Sequence, residues 1–322
     1  MPSELARGLI CDDESVFQVQ AIWQASRSLY FPITYTRNDS FGIGKGDDRG
    51  TYDAFTVNPI FFGHNTFVSP FYTYTRARDK ADTIEFNHFK DILSTLDRHD
   101  VGLDVRVETE RFSLWFTGVR QFGSMTLSDS DNVTGLVFAG VFPATGEEVD
   151  FEGWALNCGG NIEISPSFDI HSEFIYATGE EKDADDPSGL MDKKQGQFLA
   201  FKLTSHPWAE IMGSGMFGNQ VPAGSPGDEI SDIIAYGLGV TCKPTDKLSF
   251  RLDGWYAELE EENTFGEKDL GTEINLKTSY KLPKDLNVDI VAAYLFADDA
   301  TSTTGTSTDD PYEIGVQLTC GF

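Results

Sequence analysis

From residue 312 to the last residue, every second side chain is apolar: Tyr312, Ile314, Val316, Leu318, Cys320 and Phe322. Between them stand Glu313, Gly315, Gln317, Thr319 and Gly321. A period of two sends the two sets to opposite faces of a strand. A tilted strand of about 9–11 residues crosses a bilayer. The pattern therefore predicts the closing strand of a transmembrane β-barrel, with its apolar set toward lipid.

The same alternation recurs along the chain. Phe17, Val19, Ala21 and Trp23 alternate with glutamines, which predicts a strand over 16–24. Further strands are predicted near 30–37, 51–62, 66–78, 101–108, 112–116, 150–165 and 168–176. The second half adds 197–204, 208–218, 234–243, 248–256, 274–281, 286–296 and the closing strand. Bacterial single-chain barrels have even strand numbers, so the expected fold is an all-β, antiparallel up-and-down barrel of about 16 strands, with 14 or 18 as alternatives. Residues 16–322 make one barrel domain. Residues 1–15 are either a first strand with poor patterning or the remnant of a truncated region.

The connections alternate between short and long. Short ones fall near 25–29, 63–65, 110, 165–166, 205–207, 244–246 and 283–284. Long ones fall near 38–50, 79–98, 125–147, 180–194, 219–228, 260–269 and 298–310. Outer-membrane barrels have this asymmetry, with short periplasmic turns and long extracellular loops. Within 79–100, Phe86, Phe89, Ile92, Leu93 and Leu96 have helical spacing. That helix either enters the pore as a constriction, caps its mouth, or is a plain surface helix.

Composition narrows the reading. The 24 Lys and Arg against 52 Asp and Glu leave a net charge of −28, which removes nucleic acid as a partner. Much of the acid lies in connections such as 180–186 and 258–262. Solvated loops are the plain explanation; surface-bound divalent cations such as Ca2+ are the sharper one. The mean hydropathy of −0.28 resembles that of a soluble protein, but barrel strands average to neutral. No run of 18 apolar residues is present. Residues 1–10 carry Glu4 and Arg7 and no apolar run, so the chain reads as a mature protein or a fragment. The four cysteines, Cys11, Cys158, Cys242 and Cys320, show no metal or haem spacing. The last three fall on apolar strand faces and read as small hydrophobes. No cofactor is expected.

The predicted inward face carries Asp104, Glu108, Glu163, Asp169, Glu173, Glu210, Asp253, Glu273, Asp289 and Glu313. Arg106, Lys202, Lys243, Arg251, Lys277 and Lys281 share it. So much charge cannot be buried dry, because each unpaired ion costs several kcal/mol. A water-filled lumen removes the difficulty, and an acidic excess favours cations. The expected function is an outer-membrane porin passing small hydrophilic solutes or ions with weak cation selectivity. His171, between Asp169 and Glu173, is the best acid/base cluster. It has no Gly-x-Ser-x-Gly element to serve, and a structural hydrogen bond is its plainer role. The chain is expected not to be an enzyme. A sheath for a secretion or electron-transfer complex, or an outer-membrane hydrolase, are the alternatives.

The C-terminal third resembles outer-membrane porin-like proteins of the alginate-export type. The residues that carry this are Gly271-Thr272-Glu273-Ile274-Asn275-Leu276-Lys277, Tyr280-Lys281-Leu282, and the run from Ala292 to Ala300. Phe322 resembles the terminal signal that the barrel-assembly machinery reads. The resemblance implies an outer-membrane location, contact with lipid bilayer and lipopolysaccharide, and passive passage of solutes or a polymer. A homotrimer is one assembly open to such a barrel. Exporters of this type resemble arginine-rich conduits for an anionic polymer, whereas the inward face predicted here is not basic.

Overall fold

The computed structural model describes residues 16–41, 50–78, 93–127, 148–180, 194–196, 198, 208–213, 215, 230–263, 265–283, 286–301 and 309–320. Among these residues fifteen strands form one sheet. They are β1 (Val16–Ser26), β2 (Leu29–Phe41), β3 (Gly50–Val57), β4 (Ile60–Phe62) and β5 (Thr66–Arg78). Then come β6 (Leu93–Glu108), β7 (Phe112–Leu127), β8 (Glu148–Ser165), β9 (Phe168–Ala177) and β10 (Lys194–Gln195). The last five are β11 (Ile233–Thr245), β12 (Leu248–Glu258), β13 (Asp269–Leu282), β14 (Leu286–Ala297) and β15 (Tyr312–Cys320). The hydrogen-bonded path follows chain order, with β4 pairing β2 and β5, and β10 pairing β8. The expected all-β class and the up-and-down antiparallel order are what the structure has, apart from the two-residue β10, which lies parallel to β8.

Alternation underlies the longer strands, and on β6 and β13 it sorts the side chains inside out. On β13, Thr272, Ile274 and Leu276 are bare, while Gly271, Glu273 and Asn275 are covered. On β6, Val101 and Leu103 are bare, while Arg98, Asp100 and Asp104 are covered. Ile314, Val316 and Leu318 on β15 are 72%, 61% and 67% exposed. A large apolar side chain left in water forgoes about 1.5–3 kcal/mol. A handful would consume the ~5–15 kcal/mol by which folded chains are stable. The bare face is therefore a lipid face. Cys158, Cys242 and Cys320 are free thiols on it, as expected.

The contacts divide the chain into two units. The first comprises Met1–Arg106, Phe116–Leu156 and Ala177–Thr204. The second comprises Val107–Trp115, Asn157–Tyr176 and Ser205–Phe322. In each, tyrosines on the bare face stand near the long connections and donate to carboxylates. Tyr74 reaches Asp97 at 2.5 Å in the first unit. Tyr256 reaches Asp269 at 2.7 Å and Tyr294 reaches Asp310 at 3.0 Å in the second. An apolar ring with a wet hydroxyl suits the edge of a bilayer.

Two expected elements are corrected. Leu93 and Leu96 lie in strand β6, which begins eight residues before the predicted start, so the helical spacing there does not make a helix. The run 93–100 alternates as a strand once Arg98 and Asp100 are paired, and tertiary pairing decides between the two periods. Phe86, Phe89 and Ile92 lie outside the described residues. The strand predicted over 208–218 is instead a turn at 208–213, and β9 pairs directly with β11. Most of the segment predicted as strand 197–204, with Lys202, lies outside the described residues, as do residues 1–15 and Phe322.

Candidate functional site: the covered face of the second unit

The covered face of the second unit is built in rows, because cross-strand register places residues side by side. One row runs Gly239, Asp253, Asn275, Ala293, Glu313 across β11 to β15. His171 on β9 joins it by a 2.6 Å bond from Nε2 to Asp253 Oδ1. That bond skips a strand, and it can do so because Gly239 lies beneath it. A Cβ on Gly239 would fall on His171 Nε2 and on Asp253 Oδ1. Gly239→Val should therefore break the pair and cost about 1–3 kcal/mol, the usual penalty of overpacking. A urea midpoint measured in detergent checks this.

The row nearer the short turns is basic. Arg251 pairs in register with Lys277. Arg251 Nε donates to Asp253 Oδ2 at 2.8 Å, and Lys243 Nζ donates to Asp169 Oδ2 at 3.3 Å. The side chains of Arg251 and Lys243 stay 48% and 52% exposed, so this level of the covered face is hydrated. Asp169 also lies 3.6 Å from His171 Nδ1. Exposed pairs of this kind contribute little stability. They set a local field of both signs instead.

The row nearer the long connections is dry. It holds Gly237, Trp255, Glu273 and Leu295. Trp255 lies over Gly237, where a Cβ would strike its ring. Glu273 is wholly buried, yet its carboxylate is well supplied with donors. The backbone N–H groups of Glu210 and Ile211 donate to Oε1 at 2.8 and 3.0 Å, and that of Met212 donates to Oε2 at 2.8 Å. Three consecutive amides thus wrap one carboxylate, the backbone arrangement that binds anions. Each bond to a charged acceptor contributes about 1.5–3 kcal/mol. The turn 208–213 closes on itself through Gly213, and Trp208 packs on Trp255 with ring centroids 5.2 Å apart at 68°. Trp208, Ala209, Ile211 and Met212 are all buried.

Other covered charges in each unit accept hydrogen bonds from polar neighbours. Trp115 Nε1 donates to Asn157 Oδ1 at 3.0 Å, and Asn157 Nδ2 donates to Glu173 Oε1 at 2.5 Å. In the first unit, Asp104 accepts from Thr117 at 3.1 Å. Fully buried Arg98 donates to Asp100 at 3.0 Å, and Gln121 donates to the same carboxylate at 2.9 Å.

The predicted inward residues thus fall into groups. His171, Asp253 and Glu313 share a row, Arg251 and Lys277 the row below, and Glu273 the row above. Asp169 and Glu173 flank His171 on β9. Arg106 and Glu108 are exposed on β6, and Asp289 is half-buried on β14. Glu210 is corrected: it lies on the internal turn and not on the strand wall. Asp104, Asp253 and Glu273 are also far drier than a water-filled lumen requires, because donors replace the water. Sequence reasoning missed Arg98, Asp100, Gln121, Trp115, Asn157 and the turn. Arg98 and Asp100 keep the parity of Asp104, which was the available signal.

No protein-family model matches the chain, and no curated protein matches it. Solved structures do. The NanC porin shares 10% identity over 88% of this chain and 96% of its own, with a TM-score of 0.36. OccK11 (OpdR) of Pseudomonas aeruginosa shares 11% over 94% and 69%, with a TM-score of 0.45. The Pseudomonas putida toluene transporter TodX shares 9% over 87% and 76%, with a TM-score of 0.31. Such scores leave function to be read from this chain's own side chains. An apolar bare face on strands long enough to cross a bilayer is the pattern of a membrane-spanning β-sheet.

Proposed function

We propose that the chain is an outer-membrane channel that passes small hydrophilic solutes and ions through the covered side of its sheet. The observation that carries this is the hydrated charged row. Lys243 and Arg251 keep about half their side-chain surface open on the face opposite the lipid face. Charged side chains left half open on a face that does not meet lipid need water, and water there makes a passage.

The selectivity is weak and cationic. Asp169, Glu173, Asp253 and Glu313 stand against Lys243, Arg251 and Lys277 at this level, with His171 among them. Near-balanced rings discriminate poorly, and the remaining acidic excess favours cations. A basic conduit for a long anionic polymer is a poor match. A reversal potential measured in a planar bilayer under a KCl gradient should show modest cation preference. Anion preference, or a bilayer that stays silent, overturns the proposal.

The passage narrows toward the long connections, where the turn 208–213 and Trp255 fill the covered face of the second unit. A hydrolytic role finds no support at His171. Both ring nitrogens face carboxylates, and the neighbouring Ser172 lies on the bare face.

A further inference from the structure

One four-residue run occurs on two strands of the first unit. Thr34-Tyr35-Thr36-Arg37 lies on β2 and Thr73-Tyr74-Thr75-Arg76 on β5, with β3 between them. The threonines of both runs are buried on the covered face, so each Tyr and Arg belongs to the bare one. Register sets the two runs side by side. Ile33, Val57 and Tyr72 form one bare row, and Tyr35, Phe55 and Tyr74 the next. Arg37, Asp53 and Arg76 form the third, the one closest to the long connections. Successive rows are about 7 Å apart. Apolar, aromatic, then charged is the order of side chains at a membrane–water boundary.

The carboxylates at this level are already engaged. Tyr35 donates to Asp53 Oδ1 at 2.5 Å, as Tyr74 does to Asp97 Oδ1. Arg76 Nε lies 3.7 Å from that Asp97 oxygen and has no hydrogen-bond partner. The Arg76 side chain is nevertheless 40% exposed. A guanidinium presents its donors as a planar fork, which suits phosphate. Basic groups also gather at this edge of a strongly acidic chain. Among the described residues, the bare positions of β11 to β15 hold no lysine or arginine, whereas those of the first unit hold Arg37, Arg76 and Arg120. Arg120 is tied to Glu152 at 2.7 Å.

Arg37 and Arg76 stand two strands apart, about 10 Å between backbones. Asp53 lies between them and repels a single phosphate centred on the row. Two phosphates at that spacing meet one guanidinium each. We propose that the bare face of β2, β3 and β5 binds a bisphosphorylated glycolipid of the lipopolysaccharide type, with one phosphate on Arg37 and the other on Arg76. Its acyl chains run down over Tyr35, Phe55 and Tyr74 toward Ile33 and Val57. Long connections face outward in barrels, which puts this edge in the leaflet where such glycolipids reside. The site depends on the lipid face and not on the channel.

Detergent-solubilised protein is titrated with bisphosphorylated lipid A, and native mass spectrometry counts the copies bound. One saturable copy is expected, held roughly tenfold or more tightly than monophosphoryl lipid A or phosphatidylglycerol, the size of one charge-assisted hydrogen bond. Arg37→Gln and Arg76→Gln should each weaken it by a similar factor, and Arg120→Gln should not. Heat-modifiable gel migration identifies the variants that fold, and either of the first two decides alone if the other does not. Absent binding, unchanged binding in a folded Arg37→Gln or Arg76→Gln, or equal weakening in Arg120→Gln overturns the proposal. So does equal retention of either comparison lipid, which marks an ordinary boundary lipid. Mass is read without any ion current, so failure here is distinct from failure of the channel.

Discussion

Glu273→Ala should open the channel, raising single-channel conductance several-fold and making it noisy. The substitution strands three backbone N–H groups in a dry site, at about 1–3 kcal/mol each. Burial of Trp208, Ile211 and Met212 still favours the seated turn, at about 1.5–3 kcal/mol per side chain. The two sums are comparable, so the turn leaves the wall for a large part of the time. Glu273→Gln should fall between wild type and alanine. Its carboxamide keeps one accepting oxygen but presents N–H donors to the amides. Tryptophan emission supplies an independent reading, because release of the turn separates Trp208 from Trp255 and wets both. Emission that shifts while conductance does not would mean the turn never obstructed flow.

Leu276→Arg should abolish stable insertion, while a change one residue along should not. Leu276 lies mid-strand in β13 on the bare face and is 43% exposed. An arginine at the bilayer midplane of a barrel costs about 2–4 kcal/mol. That is a shift of roughly 30- to 1,000-fold in the folding equilibrium, at about 1.4 kcal/mol per factor of ten. On the surface of a soluble protein the same change would stay within about ±0.5 kcal/mol. Lys277→Leu alters the covered face instead, and should leave insertion intact while shifting selectivity further toward cations. Unfolding by urea from lipid vesicles measures the first effect, and reversal potentials measure the second. Equal stability of Leu276→Arg and wild type would remove the lipid face from the account.

Glu210 and Trp208 show where reading the chain by period stops. The run 208–218 reads as a strand by its apolar content and its place after a short connection, although its apolar residues Trp208, Ala209, Ile211, Met212, Met216 and Phe217 fall on both parities. Nothing local marks that the amides of 210–212 meet a carboxylate more than sixty residues away. Leu93 and Leu96 fail in the other direction, since their spacing suits a helix and their partners make them strand. The row from His171 through Asp253 to Glu313 was half legible. Each member had the right parity, but parity names a face and not a level along it.

A period of two is a local property of the backbone, so the chain's own order of side chains determined most of the strands, the bare face and much of the set of covered charges. Levels along the strands depend on register, and register is settled by pairing between distant segments. Only the folded sheet therefore decided that Gly239 clears a path for the His171–Asp253 bond, that Glu273 is spent on a turn, and that Asn275 and Glu313 share a row with Ala293 between them. Hydrogen bonds act over a few ångströms, and sequence distance says nothing about which groups come that close.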